Sequence, residues 1–142
     1  MKFGIRPHDV PTRVSTGAFI LHAGLGKWSA AEPQAQGLHA AASGAFPFLK
    51  GISPARFARL LALGEIATGT ALLAPVVPGA LAGGALTLFS GSLVAMYLRT
   101  PAMHLPGSVW PTQAGTGVSK DVWMLGIGLG LLVEAATGSR RR

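Results

Sequence analysis

Of the ionisable side chains inside or at the edges of long apolar runs, five are candidates for buried chemistry: His22, Lys27, Glu65, Lys120 and Asp121. A charge at the centre of a hydrocarbon layer costs about 2.5–3.5 kcal/mol on insertion scales, so one kept there is paired, protonated or in use. Glu65 is the sharpest case. It falls about ten residues into a run that starts at Ala55, hence about 15 Å along a helix, near a bilayer midplane. Ala58, Ala62, Thr68 and Gly69 share its face at three- and four-residue spacing, a small-residue stripe suited to close packing on a neighbouring helix. A carboxyl on such a stripe either hydrogen-bonds to the next helix as a structural element or carries protons. His22, in the middle of the first run, is the partner the sequence suggests for it. Lys27 closes the stretch "HAGLGKW", where Gly24 and Gly26 thin the helix, and Asp121 opens the last run beside Lys120. Lys27 and Asp121 are expected to form a buried ion pair, with Lys120 snorkelling to the headgroups. The rival readings make Lys27 an interfacial anchor and Asp121 a favourable charge at a helix N-terminus.

The elements that must position these groups are helices in lipid. The 142-residue chain has room for one domain, residues 1–142. Hydrophobic residues make up 49%, mean hydropathy is +0.45, and only 12% of residues are charged, about half the usual soluble share. A soluble domain of this size lacks the charge to cover its surface, and a disordered chain would be poor in Leu, Val and Ile. The class that remains is a multi-pass membrane protein. Four apolar runs predict helices over about residues 14–30, 55–74, 79–98 and 121–137, an all-α, membrane-spanning four-helix bundle. Alternation of the kind found in membrane barrels is absent. Lys27 and the acidic residue in the leader argue against a cleaved signal peptide.

"PVVPG", Pro75 to Gly79, is a tight turn between the second and third helices, because proline stops one helix and starts the next. The other two connections, residues 31–54 and 99–120, are long and must emerge on one side of the membrane. The first holds a short amphipathic stretch; the second is rich in Pro and Gly. Lys27, Arg56, Arg59, Arg99, His104, Trp110, Lys120 and Asp121 then share one layer. Arg56, Arg59 and Arg99 read as anchors, while Arg99, His104 and Trp110 are candidates to meet a ligand at that face. Lys and Arg number six on each side, with Lys2, Arg6, Arg13 and Arg140–Arg142 on the terminal side. Discounting Lys27 and Lys120 as buried partners places both termini in the cytoplasm.

No soluble catalytic motif is present. "GIGLG" in the last helix is a packing run, with Gly126 and Gly130 forming a GxxxG pair, as do Gly79 and Gly83. Cysteine is absent, so the chain carries no disulfide, thiol relay, cysteine-ligated cluster or c-type haem. His22 lies deep and His104 lies past a helix end, which gives no bis-histidine haem site at matched depth, and no metal site is expected. The net charge of +7 and the terminal "SRRR" read as juxtamembrane basic residues against acidic lipid, with no nucleic-acid partner expected.

"HAGLGKW" resembles the first-helix signature of the DoxX family, an apolar run ending in Gly-x-Gly-Lys or a close variant. "LGEIATGTALL" resembles that family's second helix and "KDVWMLGIGLGLL" the opening of its fourth, in the same order across about residues 12–135. The chain departs from shorter members in its long first loop and its Pro-rich third. The resemblance implies a small four-helix integral membrane protein linked to membrane redox complexes. It carries over only the polar positions within the motifs: Lys27, Glu65, Lys120 and Asp121. No catalytic constellation comes with it, and the chain is not expected to be an enzyme on its own. The first functional expectation is an accessory, quinone-proximal subunit of a membrane redox complex. That site would use Lys27, His104 and Trp110 with apolar walls, and no covalent cofactor. The second is a small proton-coupled exporter acting as a dimer through Glu65. The third is a structural or assembly partner of a larger envelope complex, docking through glycine faces. Expected partners are the bilayer and either other membrane proteins or further copies of the chain.

Overall fold

The computed structural model describes residues 5–139. Lys2 and Arg140–Arg142, counted above for orientation, lie outside the described residues. The described chain is all-helical: α1 (Val10–Trp28), α2 (Glu32–Ala45), α3 (Pro54–Leu73), α4 (Gly79–Arg99), a four-residue α5 (Thr116–Ser119) and α6 (Asp121–Ser139). Local chemistry sets the boundaries. Ser53 caps α3, its hydroxyl accepting from the Arg56 backbone N–H, and Pro54 follows at the first helical position, where its missing N–H costs nothing. The Pro75–Pro78 turn separates α3 from α4 as the sequence predicts. Residues 31–54 differ from expectation. Far from being a loop with a short amphipathic stretch, they hold the 14-residue α2 followed by a 3-10 turn at Pro47–Gly51.

Two tight antiparallel pairs, α1 on α3 and α4 on α6, meet through α3 and α4, and α2 lies across α3 and α4. Missing side chains set the closeness of each pair. A Cβ on Gly24 would stand 2.8 Å from Glu65 Cβ, and one on Gly69 2.7 Å from the Leu21 backbone nitrogen. In the second pair, a Cβ on Gly83 would stand 2.8 Å from Leu131 Cβ, and one on Gly128 2.6 Å from Thr87 Oγ1. This corrects the glycine assignment: Gly26, Gly79, Gly126 and Gly130 face open space, and the α6 glycine inside the pair is Gly128. The Glu65 stripe packs as expected, with Ala58, Ala62, Thr68 and Gly69 all buried. Ile20, Leu72, Ala82, Leu86 and Leu131 form the main core; Ala42, Ala45 and Met96 form a second one where α2 packs.

Arg13, which the sequence reading places among the flanking charges, is fully buried. Its Nε donates to the Leu72 carbonyl at 2.8 Å, and Nη2 to Ala71 at 2.9 Å, Ala74 at 3.2 Å and Val77 at 3.1 Å. The C-terminal carbonyls of a helix have no partner within it, so one guanidinium closes the end of α3 and its turn.

Two stretches, Gly79–Arg99 and Thr116–Gly138, are long and apolar enough to cross a membrane. α1 and α3 are 19 and 20 residues long but are not apolar enough to meet the same measure. All four long helices turn large apolar side chains outward: Phe19 and Leu25, Leu60 and Leu63, Leu81 and Leu88, Trp123 and Val133.

Candidate functional site

The ion pair expected between Lys27 and Asp121 forms instead between Lys27 and Glu65. Lys27 Nζ donates to Glu65 Oε1 at 2.9 Å, and Glu65 is only 6% exposed. The reason is which helices touch. α1 packs on α3 rather than on α6, so the carboxylate within reach of Lys27 is the one on α3. Lys27 is the penultimate residue of α1, whereas Glu65 stands midway along α3, so the two helices are staggered. The first half of α3 projects about 16 Å past this level and is covered by α2 in place of α1. His22, suggested as the partner of Glu65, is exposed on the other side of α1.

Asp121 joins the pair from the start of α6, repelled by Glu65 and attracted by Lys27. Two carboxylates therefore lie within electrostatic reach of one half-buried ammonium, and only Glu65 is bonded to it. Among the described residues, Glu65 Oε2 is buried with no hydrogen-bond partner. A buried oxygen of this kind is costly to leave unpaired.

These groups form the polar end of a chamber of about 780 Å³ enclosed by α1, α2, α3, α4 and the start of α6. Its walls include Phe57, Phe89, Leu93, Met96 and Met124, and Lys120 stands at its edge, itself exposed. Phe19, Phe48 and Leu60 both line the chamber and are exposed, which marks where it opens. A concave, mostly apolar space with a few convergent polar groups is the form small-molecule sites take, and the volume falls in their range of about 300–1,000 Å³.

The other loop-face candidates lie elsewhere. Arg99 stacks over the Phe46 ring at 5.0 Å, tying the end of α4 to the end of α2. His104 rests against Tyr97, with ring centroids 5.9 Å apart, and Trp110 is 71% exposed. Neither lines the chamber, so of the three residues proposed for a ligand head group only Lys27 reaches it.

Sequence reasoning passed over a cluster joining the chain's two ends. Arg6 Nη1 donates to Glu134 Oε1 at 2.8 Å, and His8 Nε2 contacts the same oxygen. Burial, reinforced by a hydrogen bond with the Glu134 carboxyl, lifts the Asp9 carboxyl above its ordinary range. His8, Asp9 and Glu134 offer ligand atoms within 4.8 Å of one another, but Arg6 already occupies Glu134, which makes the cluster a latch between the start of α1 and the end of α6.

Comparison with known proteins finds no matching family model, curated protein or solved structure. The functional reading therefore rests on the chamber and its polar end.

Proposed function

We propose that the protein is a multi-pass membrane protein of DoxX type that holds a lipophilic, quinone-class molecule as an accessory subunit of a membrane redox complex. In this reading α1, α3, α4 and α6 span the bilayer and both termini are cytoplasmic. The observation that carries the proposal is the apolar chamber with Lys27, Glu65 and Asp121 converging at one end. The outward-facing Phe19, Leu63, Leu88 and Trp123 support the bilayer setting, because a monomer in water rarely shows apolar surface on every helix. Purification from native membranes in mild detergent tests it. A redox-complex subunit should accompany the protein, and its isolation alone and free of any lipophilic ligand would count against the proposal.

A second reading, a proton-coupled exporter, is favoured by the Glu65 carboxylate paired with Lys27 and a second carboxylate, Asp121, close enough to repel it, an arrangement that can take up a proton when the lysine is displaced. Its discriminating measurement is substrate-driven proton movement in proteoliposomes, which the first reading does not predict. The exposed Gly126 and Gly130 face of α6 offers a close-approach surface for the dimer that an exporter this small needs.

A further inference from the structure

Between α4 and α5, residues 103–112 form a short closed hairpin. Pro106 and Gly107 hold the two central positions of its turn, which the Ser108 N–H closes on the Leu105 carbonyl at 3.0 Å. Gly107 takes a φ of 67°, the positive value that a type II turn needs at its second central position. Next to the turn, the Leu105 N–H donates to the Trp110 carbonyl at 2.8 Å and the Thr112 N–H to the Met103 carbonyl at 3.0 Å. The tip does not project away from the helices. The hydroxyl of Tyr97, in the last turn of α4, donates to the Val109 carbonyl at 2.7 Å and holds the tip back beside that helix end.

This ordered tip turns apolar side chains outward: Leu105 is 48% exposed, Val109 68% and Trp110 71%. The N–H groups of Leu105, Ser108, Trp110 and Thr112 all donate within the hairpin, and Pro106 and Pro111 carry none. Such a backbone leaves water at little cost, because few of its donors depend on solvent. The loop face carries five exposed cations, Lys50, Arg56, Arg59, Arg99 and Lys120, against one exposed acid, Glu32. That excess of positive charge suits a layer of lipid phosphates, and an indole is the side chain that such a layer favours. We infer that residues 105–110 sit in the headgroup layer of the leaflet at the loop face, with Leu105, Val109 and Trp110 turned into lipid. This inference rests on the bilayer setting proposed above.

Fluorescence of two single-tryptophan variants of the full-length protein, in vesicles of phosphatidylcholine and phosphatidylglycerol, tests it. Trp28→Phe/Trp123→Phe keeps Trp110. Trp28→Phe/Trp110→Phe keeps Trp123, 69% exposed on α6, as the bilayer reference. Trp110 emission should be blue-shifted, lose most of its intensity to lipid brominated near the headgroup end of the acyl chain, and resist aqueous iodide. Val109→Asp added to each variant should open Trp110 to iodide and leave the lipid quenching of Trp123 and the helical content unchanged. Trp110 quenched by iodide and untouched by brominated lipid, with Trp123 still quenched by lipid, overturns this inference and leaves the bilayer setting standing. Trp110 protected from both quenchers overturns it in favour of a protein surface covering the hairpin. If brominated lipid quenches neither tryptophan, the bilayer setting itself fails.

Discussion

Removing Lys27 should reveal how strongly the buried pair holds α1 to α3. At 2.9 Å and an effective dielectric of about 20, two unit charges attract by about 6 kcal/mol before the cost of desolvating them. Lys27→Met leaves Glu65, 6% exposed, as a lone buried carboxylate beside a second one at Asp121. Breaking a buried pair in this way costs about 3–5 kcal/mol. The lower end applies here, because the Lys27 side chain keeps 21% exposure and water moderates the loss. The double variant Lys27→Met/Glu65→Leu removes both charges and should recover most of that loss. Asp121→Asn relieves the repulsion with Glu65, so it should be neutral or stabilising; a Lys27–Asp121 pair would instead make it as costly as Lys27→Met. Unfolding in detergent, followed by helical circular dichroism, measures these three together with Glu65→Leu alone. Strict additivity of Lys27→Met and Glu65→Leu, or a Lys27→Met effect within about 0.5 kcal/mol, would refute the reasoning.

Three further outcomes follow from the packing. Arg13→Met strips four carbonyls at the end of α3 of their donor and should destabilise by about 3 kcal/mol or more; Arg13→Lys should rescue little, since a point charge lacks the guanidinium fork, and thermal unfolding of both variants checks this. Gly83→Ala places a methyl against Leu131 and should cost about 1–3 kcal/mol, whereas Gly126→Ala and Gly130→Ala, which face open space, should stay within about 0.5 kcal/mol in the same assay. Cysteine introduced at the exposed Gln113 should be labelled by an impermeant reagent on intact cells if the termini are cytoplasmic; labelling only after the cells are opened would reverse the orientation.

The helices were legible in the sequence because their apolar runs are long and bounded by Pro and Ser, signals that act locally. The face of α3 was legible for the same reason: Ala58, Ala62, Glu65, Thr68 and Gly69 repeat at helical spacing, and all are buried. The partner of Lys27 was not. It depends on the stagger of α1 against α3, which Gly24 and Gly69 set through contacts between helices that the spacing within either helix does not report. Arg13 misled because a cation near the start of an apolar run reads as a flank, while its carbonyl partners lie about sixty residues away in α3 and the turn after it. α2 was read as loop because its alanines and glycines give only a weak apolar stripe, and its helix is secured by packing against Met96 and Phe57. Gly128 escaped notice because the GxxxG spacing drew attention to Gly126 and Gly130, which point outward.

The most direct measurement is the ligand content of the purified protein. Wild-type chain and a chamber-filling variant, Gly64→Leu, are purified from native membranes in parallel and their lipophilic extracts are weighed by mass spectrometry. Gly64 lines the chamber, and a Cβ there makes only ordinary contact with the Phe89 ring at 3.7 Å, so a larger side chain extends into ligand space. The account predicts about one quinone-class molecule per wild-type chain, as for a pocket of this volume, and its loss from Gly64→Leu with helical content unchanged. Wild-type protein that carries no such molecule, or equal amounts in both proteins, contradicts it.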